Sequence, residues 1–405
     1  MTRWRTAVVL IACVLAACTP DDSESSGAPV DVAVADAERS IADDSAPVTV
    51  APTVPASPPT ADPRAETVLL GRANWSSGRV QAEILRQLMT ELGYDVASPL
   101  DFESSPDLAY QWIATGEIHL WANSWYPNHL RWWEGEIEAQ NLSIGSRLAR
   151  IDPPMAPAGG LQGWLVTRSW AEANDVRTLD QINADPLLWQ QLDRDGNGRG
   201  EFYGCPEEWT CDDIMRAMML FAGWDNLEQV RDDFEPMFDE FVQMAERGEP
   251  AIAYVWAPTS YVSRAAVGDT TMWLSILDDS VLDDSNPLQI DLGGVEEWCQ
   301  RCEGVVGFKE LGPVVCLHGS DGCQLGWNAA SIEITANEDW LERNPQLHEL
   351  LRHIRFSAVE LSDADRAVER LGGSEADVVE AAARWIDDNR ATVDTWLAAA
   401  KPIDD

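Results

Sequence analysis

The chain has 405 residues, and 69 acidic residues against 28 basic ones give it a formal net charge of −41 at pH 7. This charge excludes nucleic acid as a partner and argues against electrostatic docking on anionic lipid, because phosphate groups repel it. Hydrophobic residues make up 45% of the chain, which excludes disorder throughout and, at this length, predicts two lobes or domains.

Residues 1–17 have the composition of a signal peptide. Two arginines precede an apolar run over residues 7–15, which is too short to span a bilayer as a helix. The run leads into Leu-Ala-Ala-Cys, ending at Cys18, which resembles the lipobox of bacterial lipoproteins. Cleavage there would leave Cys18 as a lipid-modified N-terminus outside the cytoplasm. The alternative is an ordinary cleaved signal in which Cys18 has no role.

Residues 18–65 are predicted to form a disordered tether. They are rich in Asp, Ser, Ala and Pro and contain almost no aromatic residues, so they cannot offset the entropy of ordering. No later apolar stretch reaches 18 residues, and the membrane is therefore expected to hold this chain through the lipid anchor only.

The folded part is predicted to alternate strands and helices, which indicates an α/β fold with mostly parallel sheets. Apolar positions at helical spacing end at Gly93, a typical helix stop. The predicted strands cover 67–70, 94–96, 117–121, 162–166 and 251–256, and the predicted helices cover 80–92, 106–115, 213–222, 239–247, 339–356, 363–370 and 375–399.

Six cysteines follow Cys13 and Cys18, and an even number in an exported chain favours disulfides. Cys205 and Cys211 lie close together and far from the others, which predicts that they pair. The other four crowd into 25 residues, where their pairing stays open and a zinc site is the less favoured alternative. These four are Cys299, Cys302, Cys316 and Cys323.

Three segments place a tryptophan beside a proline or inside the short cysteine ring. They are Trp125-Tyr-Pro-Asn-His129, Cys205-Pro-Glu-Glu-Trp209-Thr-Cys211 and Tyr254-Val-Trp256-Ala-Pro258. Tryptophan in such turns either packs into the core or offers its face to a ligand. A quaternary ammonium ion donates no hydrogen bond and is held chiefly by aromatic faces. Three matching segments therefore favour a site for such an ion.

With these motifs the chain resembles the glycine betaine/proline betaine-binding proteins of bacterial ABC importers, over residues 67–399. The resemblance implies the two-lobed type II periplasmic binding protein fold. It also implies that Trp125, Trp209 and Trp256 wall an aromatic box for the trimethylammonium group. His129 and the backbone amides of Thr210 and Cys211 fall where the family holds the ligand carboxylate.

The resemblance further implies a clamp with no catalysis and no cofactor. We expect one lobe from residues 66–160 and 270–405 and the other from 161–269, joined by two hinge crossovers. Ligand would bridge the lobes, and the closed form would deliver betaine to an ABC permease and its ATPase subunit for osmoprotection. The binding protein itself is expected to be a monomer.

Two positions depart from the family pattern. Thr210 stands where a glycine is expected, and a positive φ there would be strained for threonine. Trp75 follows the first predicted strand, where it is a candidate fourth wall and equally a candidate for core or rim packing.

The segment that begins at Asp193 has the opening of a calcium loop, with Asp195 and Asn197 as further candidate ligands. The twelfth position is Gly204 instead of a bidentate glutamate. We therefore favour an Asx-rich turn over a calcium site.

Two alternative functions remain open at this stage. The first is a receptor for another quaternary ammonium or sulfonium solute, such as choline, carnitine or dimethylsulfoniopropionate. The second is a carbohydrate-binding lipoprotein that stacks sugars on its tryptophans. No Gly-x-Ser-x-Gly or His-Glu-x-x-His motif occurs to suggest a hydrolase.

Overall fold

A computed structural model describes residues 66–282, 285–286, 325–327 and 329–401. These residues all fall within one compact unit, 59–405. The predicted signal peptide and tether, and Cys18, lie outside the described residues. So do Cys299, Cys302, Cys316 and Cys323.

The described strands run in both directions within one mixed sheet and one small hairpin. The strands are β1 Leu70–Ala73, β2 Glu103–Ser104, β3 Leu120–Tyr126, β4 Glu136–Ile137, β5 Leu142–Ser143, β6 Leu148–Arg150, β7 Ala156–Thr167, β8 Gly200–Tyr203, β9 Leu227–Val230, β10 Ile252–Ala257, β11 Thr271–Leu274 and β12 Ala330–Asn337.

The large sheet contains two groups of strands joined through β7. The first strand group is β1, β2, β3, β6 and β12, and the second strand group is β8, β9, β10 and β11. Parallel pairs occur in both groups, as predicted: β1 with β2 and β3, and β8 with β9 and β10. The long strands β7 and β12 add antiparallel pairs that the sequence pattern did not predict.

β7 changes partner along its length. Ala156 and Gly160 pair with β12, and the residues from Leu161 to Val166 pair with β10. Its second half is buried almost throughout, which explains why only the apolar run from residue 162 was recognised as a strand. The cavity described below lies beside the point where β7 passes from one group to the other.

Helices cover the sheet. The described α-helices are α1 Ser76–Glu91, α2 Pro106–Thr115, α3 Leu130–Trp133, α4 Arg168–Ala173, α5 Leu179–Ala184, α6 Pro186–Trp189, α7 Thr210–Ala222, α8 Phe234–Glu246, α9 Tyr261–Arg264, α10 Glu338–Arg343, α11 Pro345–His353, α12 Ala358–Leu371, α13 Glu375–Asp388 and α14 Arg390–Ala399. None of the described helices is long and apolar enough to cross a membrane.

Proline, glycine and asparagine residues explain where the predicted helix boundaries agree with the structure and where they do not. α2 begins with Pro106 and ends before Gly116, whose φ of 81° only glycine adopts freely, and its bounds agree with the prediction. The helix predicted over 339–356 is instead two helices, because Pro345 lacks the N–H that would continue α10. The helix predicted over 375–399 is likewise broken at Asn389, whose side chain donates 2.8 Å to the Trp385 carbonyl.

The strand predicted over 117–121 was placed too early, since β3 starts at Leu120 and continues through Trp125. The polar residues Asn123 and Ser124 made the pattern end too soon. Both are buried, and the hydroxyl of Ser124 lies 2.6 Å from that of Thr335 on β12. Because the two hydroxyls are hydrogen-bonded to each other, the strand can continue through this buried position to the residues of the cavity.

Candidate functional site

One cavity brings together all seven residues predicted for the site. Its empty volume is about 400 Å³, which includes space open to solvent. The predicted residues that line it are Trp75, Trp125, His129, Trp209, Thr210, Cys211 and Trp256. The lining residues that the sequence reasoning missed are Pro106, Asn128, Gln162 and Tyr254.

The two strand groups contribute different parts of this lining. Trp125 lies on β3 of the first group and His129 just after it, and Trp75 precedes α1. Trp256 lies on β10 of the second group, and Trp209 stands immediately before α7. The cavity therefore lies between the first strand group and the second strand group.

Trp209 is the central aromatic side chain. Its ring centroid lies 5.4 Å from that of Trp256 and 5.8 Å from that of Trp75, both edge to face. It also stacks on the buried Phe234 at 5.7 Å. In each edge-to-face contact the edge of one ring packs on the face of the other, so the three rings hold one another in place beside the cavity.

Asn123 orients two of the indoles. Its Oδ1 accepts the indole N–H of Trp125 at 2.8 Å and that of Trp75 at 3.1 Å. The amide is held in turn by Gln81, to which its Nδ2 donates. Because both indole N–H groups are satisfied away from the cavity, the two rings are fixed without using a donor that faces it.

Gly160 on β7 makes the space for the Trp125 ring. A Cβ atom at this position would lie 2.6 Å from Cζ3 of Trp125, well inside van der Waals contact. The absent side chain allows the indole to lie against the strand. Trp125 is 6% exposed as a result, and Trp256 on the neighbouring strand is 4% exposed.

His129 offers a neutral N–H donor. Its Nδ1 accepts the backbone N–H of Trp125 at 3.1 Å, and the Tyr110 hydroxyl lies 3.3 Å from the same nitrogen. The ring stacks on Trp121 with centroids 5.8 Å apart. Burial lowers the pKa of His129 to about 3, because the imidazolium would lose its hydration. At neutral pH its hydrogen is therefore on Nε2.

Thr210 and Cys211 open α7, a helix of 13 residues. The N–H groups of a first helical turn have no partner inside the helix, and the helix dipole there favours an anion. Thr210 is not among the described residues with positive φ, so the strain feared for a threonine at this position does not arise. Its Oγ1 accepts the indole N–H of Trp132 at 3.1 Å.

The predicted disulfide between Cys205 and Cys211 is present. It ties the end of β8 to the first turn of α7 and spans the loop that carries Trp209. Cys205 is fully buried, so the loop is anchored in the core at one end and in the helix at the other. The short ring fixes Trp209 next to the free amides of the helix.

The Asp193 segment forms Asx turns. Asp193 Oδ2 accepts the N–H of Gly198 at 3.0 Å, and Asp195 Oδ1 accepts the N–H of Asn197 at 2.9 Å. Asn197 Oδ1 likewise accepts the N–H of Arg199 at 2.9 Å, so Asp195 and Asn197 each form an Asx turn. Asp195 also lies with Glu201 and Glu228 in a group whose carboxylate oxygens are within 4.8 Å of one another.

Comparison with known proteins places this geometry in a family. Residues 66–388 match the family model described as the substrate binding domain of the ABC-type glycine betaine transport system. The glycine betaine-binding periplasmic protein OusX of Dickeya dadantii is 22% identical over 322 residues, which cover 79% of this chain and 86% of that protein.

Solved structures share the fold. An ABC-transporter choline-binding protein in complex with choline superposes with a TM-score of 0.56 at 15% identity, covering 82% of this chain and 91% of that one. Lactococcal OpuAC in its closed form with glycine betaine gives a TM-score of 0.53 at 15% identity, covering 82% of this chain and all of that one. The mixed α/β fold is therefore that of type II periplasmic binding proteins.

The family comprises substrate-binding proteins of ABC transporters, which bind a solute and carry out no catalysis. The match extends over most of the described residues and includes every segment that lines the cavity. The chain therefore belongs to the family of substrate-binding domains of ABC-type glycine betaine transport systems.

Proposed function

We propose that this protein captures glycine betaine or proline betaine outside the cytoplasm and delivers it to an ABC importer for osmoprotection. The observation that carries the proposal is a single cavity with tryptophan faces and oriented N–H donors in its lining. A betaine has a greasy cation at one end and a carboxylate at the other, so it needs both kinds of group.

The trimethylammonium group is held by tryptophan faces. Trp125, Trp209 and Trp256 form three walls, and Trp75 forms a fourth, since it lines the same cavity. Each desolvated aromatic contact contributes about 0.5–2 kcal/mol. Together with the carboxylate contacts, these walls account for a micromolar Kd, which corresponds to about −8 kcal/mol.

The carboxylate is held by His129 Nε2–H and the backbone amides of Thr210 and Cys211. Burial keeps His129 neutral, so it acts as a hydrogen-bond donor and not as a counter-ion. The start of α7 supplies the positive end of a helix dipole. The ligand carries no net charge, and the groups proposed to bind it carry none either.

Binding closes a two-lobed clamp in this proposal. The lobes are those expected from the sequence, residues 66–160 with 270–405 and residues 161–269, with one correction. β11, Thr271–Leu274, pairs with the second half of β7 and therefore belongs with the 161–269 lobe. The ligand contacts both lobes. Contacts between these parts already exist beside the cavity, including the bond from Trp132 to Thr210 and the ion pair between Arg131 and Asp213. Ligand adds to them and shifts the population toward the closed form.

In this proposal the protein works at the membrane, beside the transporter that receives its ligand. The closed monomer docks on an ABC permease that works with an ATPase subunit. Cys18 anchors the chain to the membrane through lipid, and residues 18–65 serve as the tether. Membership of the family supports the partnership with a transporter. The lipid anchor and the monomeric state are expectations from the sequence alone.

Titration of the purified protein with glycine betaine tests the proposal. Tryptophan fluorescence is the natural signal, because the ligand would contact Trp125, Trp209 and Trp256 directly. A saturable change at micromolar ligand is expected. Absence of any saturable change up to millimolar glycine betaine would refute it.

Choline is the second candidate ligand, because a protein of the same fold is named for binding it. The aromatic walls serve choline and betaines alike, whereas the N–H donors favour a carboxylate. A competition series with choline, carnitine and dimethylsulfoniopropionate against glycine betaine ranks these ligands. Tighter binding of choline than of glycine betaine would replace the first candidate with the second.

A further inference from the structure

Gln162 is a buried polar side chain on β7 that the sequence analysis did not select. It is 5% exposed and lines the cavity. It stands two residues after Gly160, on which the Trp125 ring lies, and directly opposite Trp256 on β10. Alternate residues of a strand share a face, so the Gln162 side chain lies on the same face of β7 as the Trp125 ring, beside Trp256.

Tyr254 fixes the orientation of this amide. Its hydroxyl donates to Gln162 Oε1 at 2.6 Å, and both side chains line the cavity. Burial raises the pKa of Tyr254, so the hydroxyl keeps its hydrogen and remains a donor. With the oxygen occupied, the Nε2 end of the amide is the part left to bind something else.

Gln162 Nε2 has no hydrogen-bond partner among the described residues, although the atom is buried. A buried donor without an acceptor costs about 1–3 kcal/mol, and proteins rarely retain one without a use. Because Gln162 lines the cavity, a bound ligand is the group placed to supply the missing acceptor. This acceptor cannot be the trimethylammonium group, whose methyl groups bear positive charge and have no lone pair.

We infer that Gln162 is a specificity-determining residue whose Nε2–H donates to the ligand carboxylate. The inference rests on the proposed function and adds a side-chain donor on β7 to His129 and the helix amides. A carboxylate has two oxygens with about four acceptor sites, so it accommodates these donors together. Tyr254 acts through Gln162 as a positioning residue.

Two ligands that share the cation separate this role from cavity shape. Glycine betaine carries a carboxylate, and tetramethylammonium has no acceptor at all. In the Gln162→Met variant, which keeps the length of the side chain, glycine betaine affinity is expected to fall at least about tenfold in calorimetric titration. Tetramethylammonium affinity is expected to change less than about twofold.

Gln162→Glu replaces the proposed N–H donor with a negatively charged acceptor. Its carboxylate is expected to weaken glycine betaine more than Gln162→Met does, and to leave tetramethylammonium binding equal or tighter. The double variant Gln162→Met with Tyr254→Phe removes both partners of the internal hydrogen bond. It serves if the single variant fails to fold, because replacing both partners leaves no buried hydroxyl unpaired.

Three outcomes overturn the inference. Unchanged glycine betaine affinity in Gln162→Met and in the double variant means that the amide touches no ligand. An equal loss for both ligands means that Gln162 only shapes the cavity. Equal or tighter glycine betaine binding in Gln162→Glu means that the amide presents an acceptor instead of a donor. In each case the native protein still binds glycine betaine, whereas failure of the proposed function appears as no binding by the native protein.

Discussion

The cation side and the anion side of the cavity are built in different ways. On the cation side, large rings are fixed by one another, by Asn123 and by the space above Gly160. On the anion side, a few N–H donors are fixed by a helix start, a disulfide and the hydrogen bond to His129 Nδ1. In the proposed function the first side would give affinity for any quaternary ammonium ion, and the second would select for the carboxylate that a betaine carries.

The largest effect is expected from Trp209→Ala, which removes the ring that contacts both Trp75 and Trp256. Affinities for glycine betaine and tetramethylammonium should both fall by about 100-fold or more, since one wall is lost and its neighbours lose their support. Calorimetric titration measures both. Trp112→Ala, which removes a partly buried tryptophan outside the cavity, is the matched control and should bind both ligands as the native protein does.

His129→Phe is expected to act on the anion side alone. It keeps an aromatic ring against Trp121 and removes the donor, so glycine betaine affinity should fall by about tenfold or more while tetramethylammonium affinity stays nearly constant. His129→Gln, whose amide carries both an acceptor and an N–H donor, should retain more affinity than His129→Phe. Parallel losses for both ligands would show that the two sides are not separable.

The same histidine predicts a flat pH profile for binding. Burial lowers its pKa to about 3, so its Nε2–H donor does not change protonation between pH 5 and 8. The affinity of the native protein for glycine betaine should therefore be constant across this interval in titrations at fixed ionic strength. A rise in affinity below pH 6.5 would mean that His129 becomes charged and acts as a counter-ion for the carboxylate.

Gly160→Ala tests the cation side by changing the strand on which the Trp125 ring packs. The added Cβ would meet the Trp125 ring at 2.6 Å, so the indole must move. Both ligands should lose affinity by a similar factor of about three to ten, because the moved wall serves the shared cation. A loss confined to glycine betaine would place Trp125 on the anion side and contradict the separation of the two sides of the cavity.

The sequence pointed to Trp125, Trp209 and Trp256 because each sits in a short motif with a local physical reason, whereas the resemblance to the family pointed to the donors of His129, Thr210 and Cys211. Cys205 and Cys211 pair at close spacing, and prolines constrain Trp125 and Trp256. The α/β alternation was likewise local. The antiparallel partners of β7 and β12 were not predicted, since the pairing of strands distant in the chain leaves no mark in either strand's pattern.

Gln162 and Asn123 were missed for a related reason. Each is a polar residue inside an apolar strand, and its role depends on a partner far along the chain: Tyr254 for Gln162, and Trp75 for Asn123. The signal that was available was the cost of burying an amide in such a run. Only the fold shows whether the buried amide finds its hydrogen-bond partners within the protein or is free to bind a ligand.

The smallest effect on ligand affinity is expected where the two strand groups meet away from the ligand, and the change there is one of stability. Asp365 on α12 accepts the N–H of Ser260 at 2.7 Å and the hydroxyls of Ser76 at 3.1 Å and Thr259 at 3.2 Å. Burial is the main reason that the pKa of Asp365 rises to about 6, and the nearby Glu369 adds to the rise.

This pKa fixes the sign of a stability effect. Between about pH 4 and 6 the native state holds the Asp365 proton more tightly than the unfolded state, so this group lowers stability as pH rises and costs most above pH 6. Asp365→Asn keeps an acceptor for Ser260 and removes the ionisation. Its stability relative to the native protein, measured by urea unfolding, should rise by up to about 3 kcal/mol from pH 4 to pH 7.5. A difference that does not depend on pH would show that Asp365 ionises freely, and glycine betaine affinity, which depends on the cavity alone, should be unchanged in this variant.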